Sequence, residues 1–311
     1  MHQTPVKPYW QQVKGNTWCM VFDFGRIPVY LLGDGRAIMI DSGFPQNRQE
    51  ILDLLAEKDL RLAALLTTHT HPDHIGNHTF LREHFGAKVY MTPFATLTCK
   101  DPLTMGVSLG GRAPYRMIKE RIKDTAVTDV TIPFEEGKIT VEGVTFQVIP
   151  TPGHCVEHIS FVTPDNVAYV GDALQSEDFM INRRLTYTTG LEEDLISKTR
   201  IAELDCDSYI IAHNGVVEDV KETVQTAVEA MEYRLALFEQ LADTPAGEDE
   251  LVRRFLVHTG ADLNNYRSVR GVHANALAFI AYLVDTGRLT TLVEDGYVKY
   301  VKYVRQKKTD T

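Results

Sequence analysis

Between Thr67 and Asn77 the chain places three imidazoles and a carboxylate within six residues, His69, His71, Asp73 and His74. Neutral imidazole nitrogen and ionised carboxylate oxygen are the donors a borderline divalent cation prefers, so the first chemistry this stretch suggests is metal binding. The flanking sequence can position them. Leu62–Leu66 is a short apolar run that reads as a buried strand, and Ile75–Phe85 has the pattern of a helix start. A His-x-His pair at a strand end sends both rings to one side, because alternate residues share a face. Asp73 and His74 fall where the chain tightens into the helix, which lets them reach a second point nearby.

Three later segments repeat the arrangement, each ending an expected strand in a turn with one metal-competent side chain. Thr151-Pro-Gly-His154 follows Val144–Ile149, Gly171-Asp172-Ala173 follows Val167–Val170, and Ala212-His213-Asn-Gly215 follows Tyr209–Ile211. One histidine at a strand end is more often a hydrogen-bonded core residue than a ligand. Three such turns in order after the first cluster are hard to ascribe to chance.

The uninterrupted run His69-x-His71-x-Asp73-His74 resembles the signature of the metallo-β-lactamase superfamily. That resemblance implies an αβ/βα four-layer sandwich with the metals at one edge, whereas periodicity alone gives only a mixed α/β layered domain. It also implies that His69, His71 and His154 hold one metal, that Asp73, His74 and His213 hold the other, and that Asp172 bridges the two. Asp41, in Asp41-Ser-Gly43, is implied to support the metal loop from behind; His158, four residues after His154, is a candidate for orienting a ligand by a hydrogen bond. The sequence departs from the pattern at Ala-His-Asn-Gly, where many relatives have Gly-His-Gly, so the turn at His213 is expected to differ. Two such cations can hold a bridging hydroxide as nucleophile, with Asp73 both ligating and orienting it, so the expected reaction is hydrolysis. Zinc is the default, and iron or manganese fits the same donors. A redox branch of the superfamily adds a flavodoxin-like domain, of which this sequence gives no sign.

The remaining chain must build the frame. Asn16–Phe24, Ile27–Leu32 and Ala37–Ile40 read as a strand meander, followed by a helix over Gln46–Lys58 with Ile51, Leu54 and Leu55 on one face. Regularity lapses from Thr92 to Asp129, and an irregular span of that length is usually functional. It is read as a lid, with Met105, Tyr115 and Met117 as wall residues. Strands return at Val130–Phe134, Lys138–Val141, Val144–Ile149, Ile159–Val162 and Val167–Val170. From Val220 the pattern becomes helical, through a long amphipathic helix to Leu241, a short one to Phe255 and a third over Val272–Val284. A hairpin with an Asp295-Gly296 turn then joins Leu289–Val293 to Tyr297–Val304. The expected organisation is a catalytic domain over 1–219 and a C-terminal unit of helices and hairpin over 220–311, winged-helix-like in outline. The end of that unit resembles lactamase-β-like hydrolases, some of which are endoribonucleases.

A 311-residue chain with 44% hydrophobic and 24% charged residues can bury a large core, and its net charge of −10 argues against a general nucleic-acid or anionic-membrane binder. Residues 264–311 hold eight Lys/Arg against four Asp/Glu, too small an excess to favour nucleic acid there. Four scattered cysteines suggest neither disulfides nor a thiolate zinc site. With no apolar leader and no membrane-length apolar run, a cytoplasmic protein is expected. The leading functional expectation is a dinuclear metal hydrolase of a small ester, thioester or lactone. Arg112, Tyr115, Arg116 and Arg183 are the candidate substrate-binding residues, and a homodimer is the candidate assembly. A metal-dependent ribonuclease or phosphodiesterase is the runner-up, and a non-catalytic metal-binding protein the third. Resemblance to the glyoxalase II branch is confined to the metal motifs, since its basic C-terminal glutathione-binding signature is not evident.

Overall fold

The computed structural model describes residues 7–100, 104, 126–175, 185–261, 264 and 266–303. Met105, Arg112, Tyr115, Arg116, Met117 and Arg183 lie outside them, so the lid and substrate-residue expectations concern residues beyond this description.

The first half forms β1 (Tyr9–Lys14), β2 (Thr17–Phe22), β3 (Gly25–Leu31), β4 (Arg36–Ile40), α1 (Arg48–Glu57), β5 (Arg61–Leu66), α2 (Pro72–Ile75), α3 (His78–Phe85), β6 (Lys88–Met91), α4 (Pro93–Cys99) and β7 (Val130–Thr131). Its seven strands make one sheet in sequence order, antiparallel from β1 to β4 and parallel from β4 to β7. The second half forms β8 (Gly137–Val141), β9 (Val144–Pro150), β10 (Ile159–Val162), β11 (Val167–Gly171), α5 (Leu191–Glu203), β12 (Ser208–Ile211) and β13 (Gly215–Val217), a six-stranded sheet in the order β13-β12-β11-β10-β9-β8. α6 (Lys221–Leu241), α7 (Glu248–Thr259), α8 (Tyr266–Asp285) and the hairpin β14 (Leu289–Glu294)–β15 (Tyr297–Lys302) follow among the described residues.

Strand alternation explains the layering. Ile38, Ile40, Ala64, Leu66 and Tyr30 face Phe146, Val148, Phe161, Tyr169 and Ile210 between the two sheets. The opposite residues of the first sheet, Met39, Leu65, Val89 and Met91, pack on Ile51, Leu55 and Leu81 of α1 and α3. On the far side of the second sheet, Ala168, Val170 and Ile211 meet Ile201, Val224 and Ala227 of α5 and α6. The result is helix, sheet, sheet, helix. The C-terminal helices share a further core of Phe238, Phe255 and Phe279, which also takes in Leu185 and Leu191. At the hairpin, Asp295 and Gly296 both adopt positive φ, as a tight turn between twisted strands requires.

Four details differ from the sequence expectations. The meander gains β1, a polar edge strand. The helix expected over Ile75–Phe85 is two pieces, because Gly76 lies so close to the Gly43 carbonyl that a Cβ there would be 2.6 Å from it, and Asn77 turns its amide to the Ser42 and Phe44 carbonyls. The span after Thr92 begins with α4, capped by Thr92 accepting from the Ala95 N–H. Residues 191–203, for which no element was expected, form α5. Among the described residues no helix is long and apolar enough to cross a membrane, and the four cysteines are unpaired.

Candidate metal centre

All seven expected ligands lie just beyond strand C-termini, where loops from both sheets meet. Two clusters form there. Ligand atoms of His69, His71, His154 and Asp172 lie within 4.8 Å of one another, as do those of Asp73, His74, His213 and Asp172. Asp172 is shared in a specific sense. Its Oδ2 faces Nε2 of His154 at 3.3 Å and Nε2 of His69 at 3.9 Å, while its Oδ1 faces Nε2 of His74 and of His213, both at 3.3 Å. His154 Nε2 and His71 Nδ1 point at each other at 2.9 Å, two imidazole nitrogens converging on one spot.

Asp41 is the hub behind the cluster, held at φ 61°, a conformation few non-glycine residues adopt. Its Oδ1 accepts from the Thr68 N–H, and its Oδ2 from the hydroxyls of Thr68 and Tyr169. The His74 Nδ1–H also donates to Oδ2, at 2.7 Å. Because Thr68 spends its only proton on Asp41, it can only accept from His69 Nδ1–H at 3.0 Å. Both rings therefore keep their Nε2 lone pairs for the centre. His213 follows the same rule, donating Nδ1–H to the Phe24 carbonyl at 2.7 Å. That contact, with the Arg26 N–H on the Ala212 carbonyl, fixes the departing Ala-His-Asn-Gly turn against β3. His158 donates from Nδ1 to Thr151 Oγ1 and accepts the Asp172 N–H at Nε2, which places it behind Asp172. Of the other histidines, His78 is buried between Ser42 and Thr67, and His258 is exposed.

The chain matches the Metallo-beta-lactamase superfamily over residues 22–213, more than half its length, and the match takes in every residue of both clusters. The chain belongs to the metallo-β-lactamase superfamily. It is 27% identical over 209 residues to an atrochrysone carboxyl ACP thioesterase of Aspergillus fumigatus, covering 66% of this chain and 56% of that one. It is 29% identical over 189 residues to the hydroxyacylglutathione hydrolase GloC of Haemophilus influenzae, covering 58% of this chain and 80% of that one. The chain thus spans little over half the length of the fungal relative. A metallo-β-lactamase family protein from Thermus thermophilus shares the fold across 96% of this chain and 99% of its own, with a TM-score of 0.68 at 22% identity.

The superfamily is metal-dependent, and the donor atoms fit that requirement. Nε2 of His69, Nε2 of His74 and Oδ1 of Asp172 are buried with no hydrogen-bond partner, an arrangement a fold avoids unless something satisfies them. Asp172 is near enough to attract His74 and His213, yet off-line for bonding. Without a cation, burial holds His71 neutral, down to about 4, and pushes His69 and His154 well below the ordinary value. Burial also opposes charge on His213, but Asp172 and Asp73 outweigh it and lift that imidazole to about 10. His74 is raised in the same way, by Asp172 and Asp41 over burial. Burial would raise Asp73, yet His74 and His213 bring it down to about 2.

The His213 imidazolium, beside a His74 whose hold on a proton is strengthened, thus stands where positive charge is favoured, and a cation must displace its proton. Because His213 stays protonated through neutral pH, apparent zinc affinity should rise with pH, by about tenfold per unit for the proton it releases. Chelator competition at pH 6, 7 and 8, corrected for the chelator's own titration, checks this; a flat profile would overturn the protonation pattern.

The mouth of the centre is walled by residues that the motifs did not point to, Tyr187 foremost. The Tyr187 ring stands 5.1 Å from His71 and 5.3 Å from His154. With Phe94, Val156 and Cys155 it walls a cleft beside the three-histidine cluster. Its only sequence signal was a lone aromatic in Leu185-Thr-Tyr-Thr-Thr189, and nothing in spacing pointed to it.

Proposed function

We propose that this superfamily member is a dinuclear metal hydrolase that cleaves a small thioester, ester or lactone. The observation that supports it most is Asp172, whose two oxygens face two separate donor groups. On this reading His69, His71 and His154 hold one cation, Asp73, His74 and His213 the other, and Asp172 both. Two divalent cations, zinc by default, would supply Lewis acidity and a nucleophile made from water at neutral pH.

The chain's own groups do the rest. Asp73 is the most exposed carboxylate of the centre, 3.3 Å from His213 Nε2 through Oδ2. Held ionised, it can orient an attacking water by accepting its proton. Tyr187, Phe94 and Val156 form a wall that excludes solvent from one side of the reacting group. The names of the fungal thioesterase and the bacterial hydroxyacylglutathione hydrolase favour an acyl substrate. Within the chain, 1–219 would supply the centre and 220–311 a cap of helices and a β-hairpin. Eight Lys/Arg against four Asp/Glu over 264–311 is too small an excess to favour nucleic acid, which leaves RNA second.

Zinc-loaded protein of measured stoichiometry, assayed on thioesters, lactones, phosphodiesters and RNA, is expected to turn over the first class fastest. Exclusive cleavage of RNA, weakening steeply with salt, would replace this reading with the nuclease.

A further inference from the structure

The helix α5 carries two buried charges that no step above uses. Asp194 and Lys198 are 3% and 5% exposed and form an ion pair one helical turn apart. Lys198 Nζ also donates to the Ala173 carbonyl at 3.1 Å. Burial pulls the Asp194 carboxyl above the usual range even with Lys198 beside it. Desolvation therefore outweighs the pairing, and such a pair is a poor source of stability. Its placement is more telling. Ala173 follows Asp172 directly, and the Asp172 N–H is already anchored on His158. The peptide bearing the shared carboxylate is thus pinned on one side by an imidazole and on the other by an ammonium.

The same helix grips the neighbouring ligand loop. Ser197 Oγ donates to the Pro152 carbonyl at 2.6 Å, and Arg200 Nη1 to that of Pro150 at 3.0 Å. The residues leading into α5 bind the Gly153 carbonyl through Thr188 Oγ1 and the Thr189 N–H. Both ligands of the second sheet that precede α5 therefore take their positions from it.

We propose that Lys198, neutralised by Asp194, is a positioning residue that fixes the Asp172 carboxylate midway between the two histidine groups and so sets how tightly the second cation binds. The inference rests on the reading of Asp172 as a shared ligand. Lys198 acts through the main chain at Ala173 and touches no reacting atom.

The variant Asp194→Leu/Lys198→Met fills the site with apolar side chains and leaves no unpaired charge. Zinc stoichiometry and affinity are read by chelator competition, beside thermal unfolding of the metal-free protein. The expected result is an unfolding temperature no lower than that of the unsubstituted protein, with affinity for the weaker of two zinc ions falling about 10–100-fold. Lys198→Gln, which keeps a donor but shortens its reach, should shift the same affinity in the same direction, and it decides the matter if the double variant does not fold. Ile201→Val, a packing loss on the same helix, should lower the unfolding temperature and leave both affinities alone. Unchanged zinc affinity in Lys198→Gln, or in a folded double variant, overturns the proposal. An unsubstituted protein that takes up a single zinc overturns the shared-ligand reading instead.

Discussion

Replacing Asp172 with asparagine should cut zinc stoichiometry from two to one at most and lower turnover more than about a hundredfold, beyond what loss of a ligand's outer partner costs. An amide keeps the shape of the carboxylate but not its symmetry. One end still offers an oxygen, while the other becomes an NH2 group, which can only donate. Asp172 Oδ1 faces His74 and His213, and Oδ2 faces His154 and His69, so whichever end becomes nitrogen, one cluster loses its oxygen donor and the other keeps only a neutral one. Metal analysis of purified variant, paired with turnover on the best thioester, reads both effects. Two tightly held zinc ions in the variant would show that the carboxylate is not shared, and the dinuclear reading would fall with it.

The candidate ligand positions stand out in the sequence because their signals are local. His69, His71, Asp73 and His74 fall within six residues, and the later candidates each end an apolar run, whereas their meeting at one edge was implied by the resemblance to the superfamily rather than by spacing. Layering was legible for a similar reason: residues such as Ile38, Ile40, Leu65 and Val89 alternate or cluster as buried strands must.

What escaped depends on contacts between distant segments. In α5 the buried face is built from Leu191, Asp194, Ser197, Lys198 and Ile201, three of them polar. A helix that buries charge reads as unpatterned, because hydrophobic periodicity presumes that apolar residues alone face inward. The edge strand β1 was hidden by Gln11 and Gln12, acceptable in a strand only because one side is left to solvent. The break after Ile75 turns on Gly76 lying against Gly43, more than thirty residues away in sequence. Asp41 shows the boundary well: an Asp before Ser-Gly suggests a turn, whereas its four hydrogen bonds come from Thr68, His74 and Tyr169 on other elements.

Gly153→Ala should be the most damaging small substitution near the centre. At φ 127° this glycine lies where L side chains are strained, at a cost of about 1–3 kcal/mol. A Cβ built there would come within 2.3 Å of Asp194 Cα and 2.5 Å of its nitrogen. Those are main-chain atoms inside a helix, so no side-chain rotation relieves the clash, and overpacking adds roughly another 1–3 kcal/mol. The whole 151–154 loop must move instead. Its carbonyl at Gly153 accepts from the Thr189 N–H at 2.7 Å and from the Thr188 and Thr189 hydroxyls at 2.9 and 3.0 Å, so those bonds stretch as it shifts. His154 is the next residue, and its Nε2 leaves the spot shared with His71. Urea unfolding of the metal-free variant should therefore show a loss on the order of 4 kcal/mol, accompanied by weaker zinc binding at the three-histidine cluster. A loss under about 1 kcal/mol, the effect of an ordinary tolerated substitution, with unaltered zinc affinity would mean that α5 yields to the loop, and the view of that helix as the rigid frame of the centre would have to be abandoned.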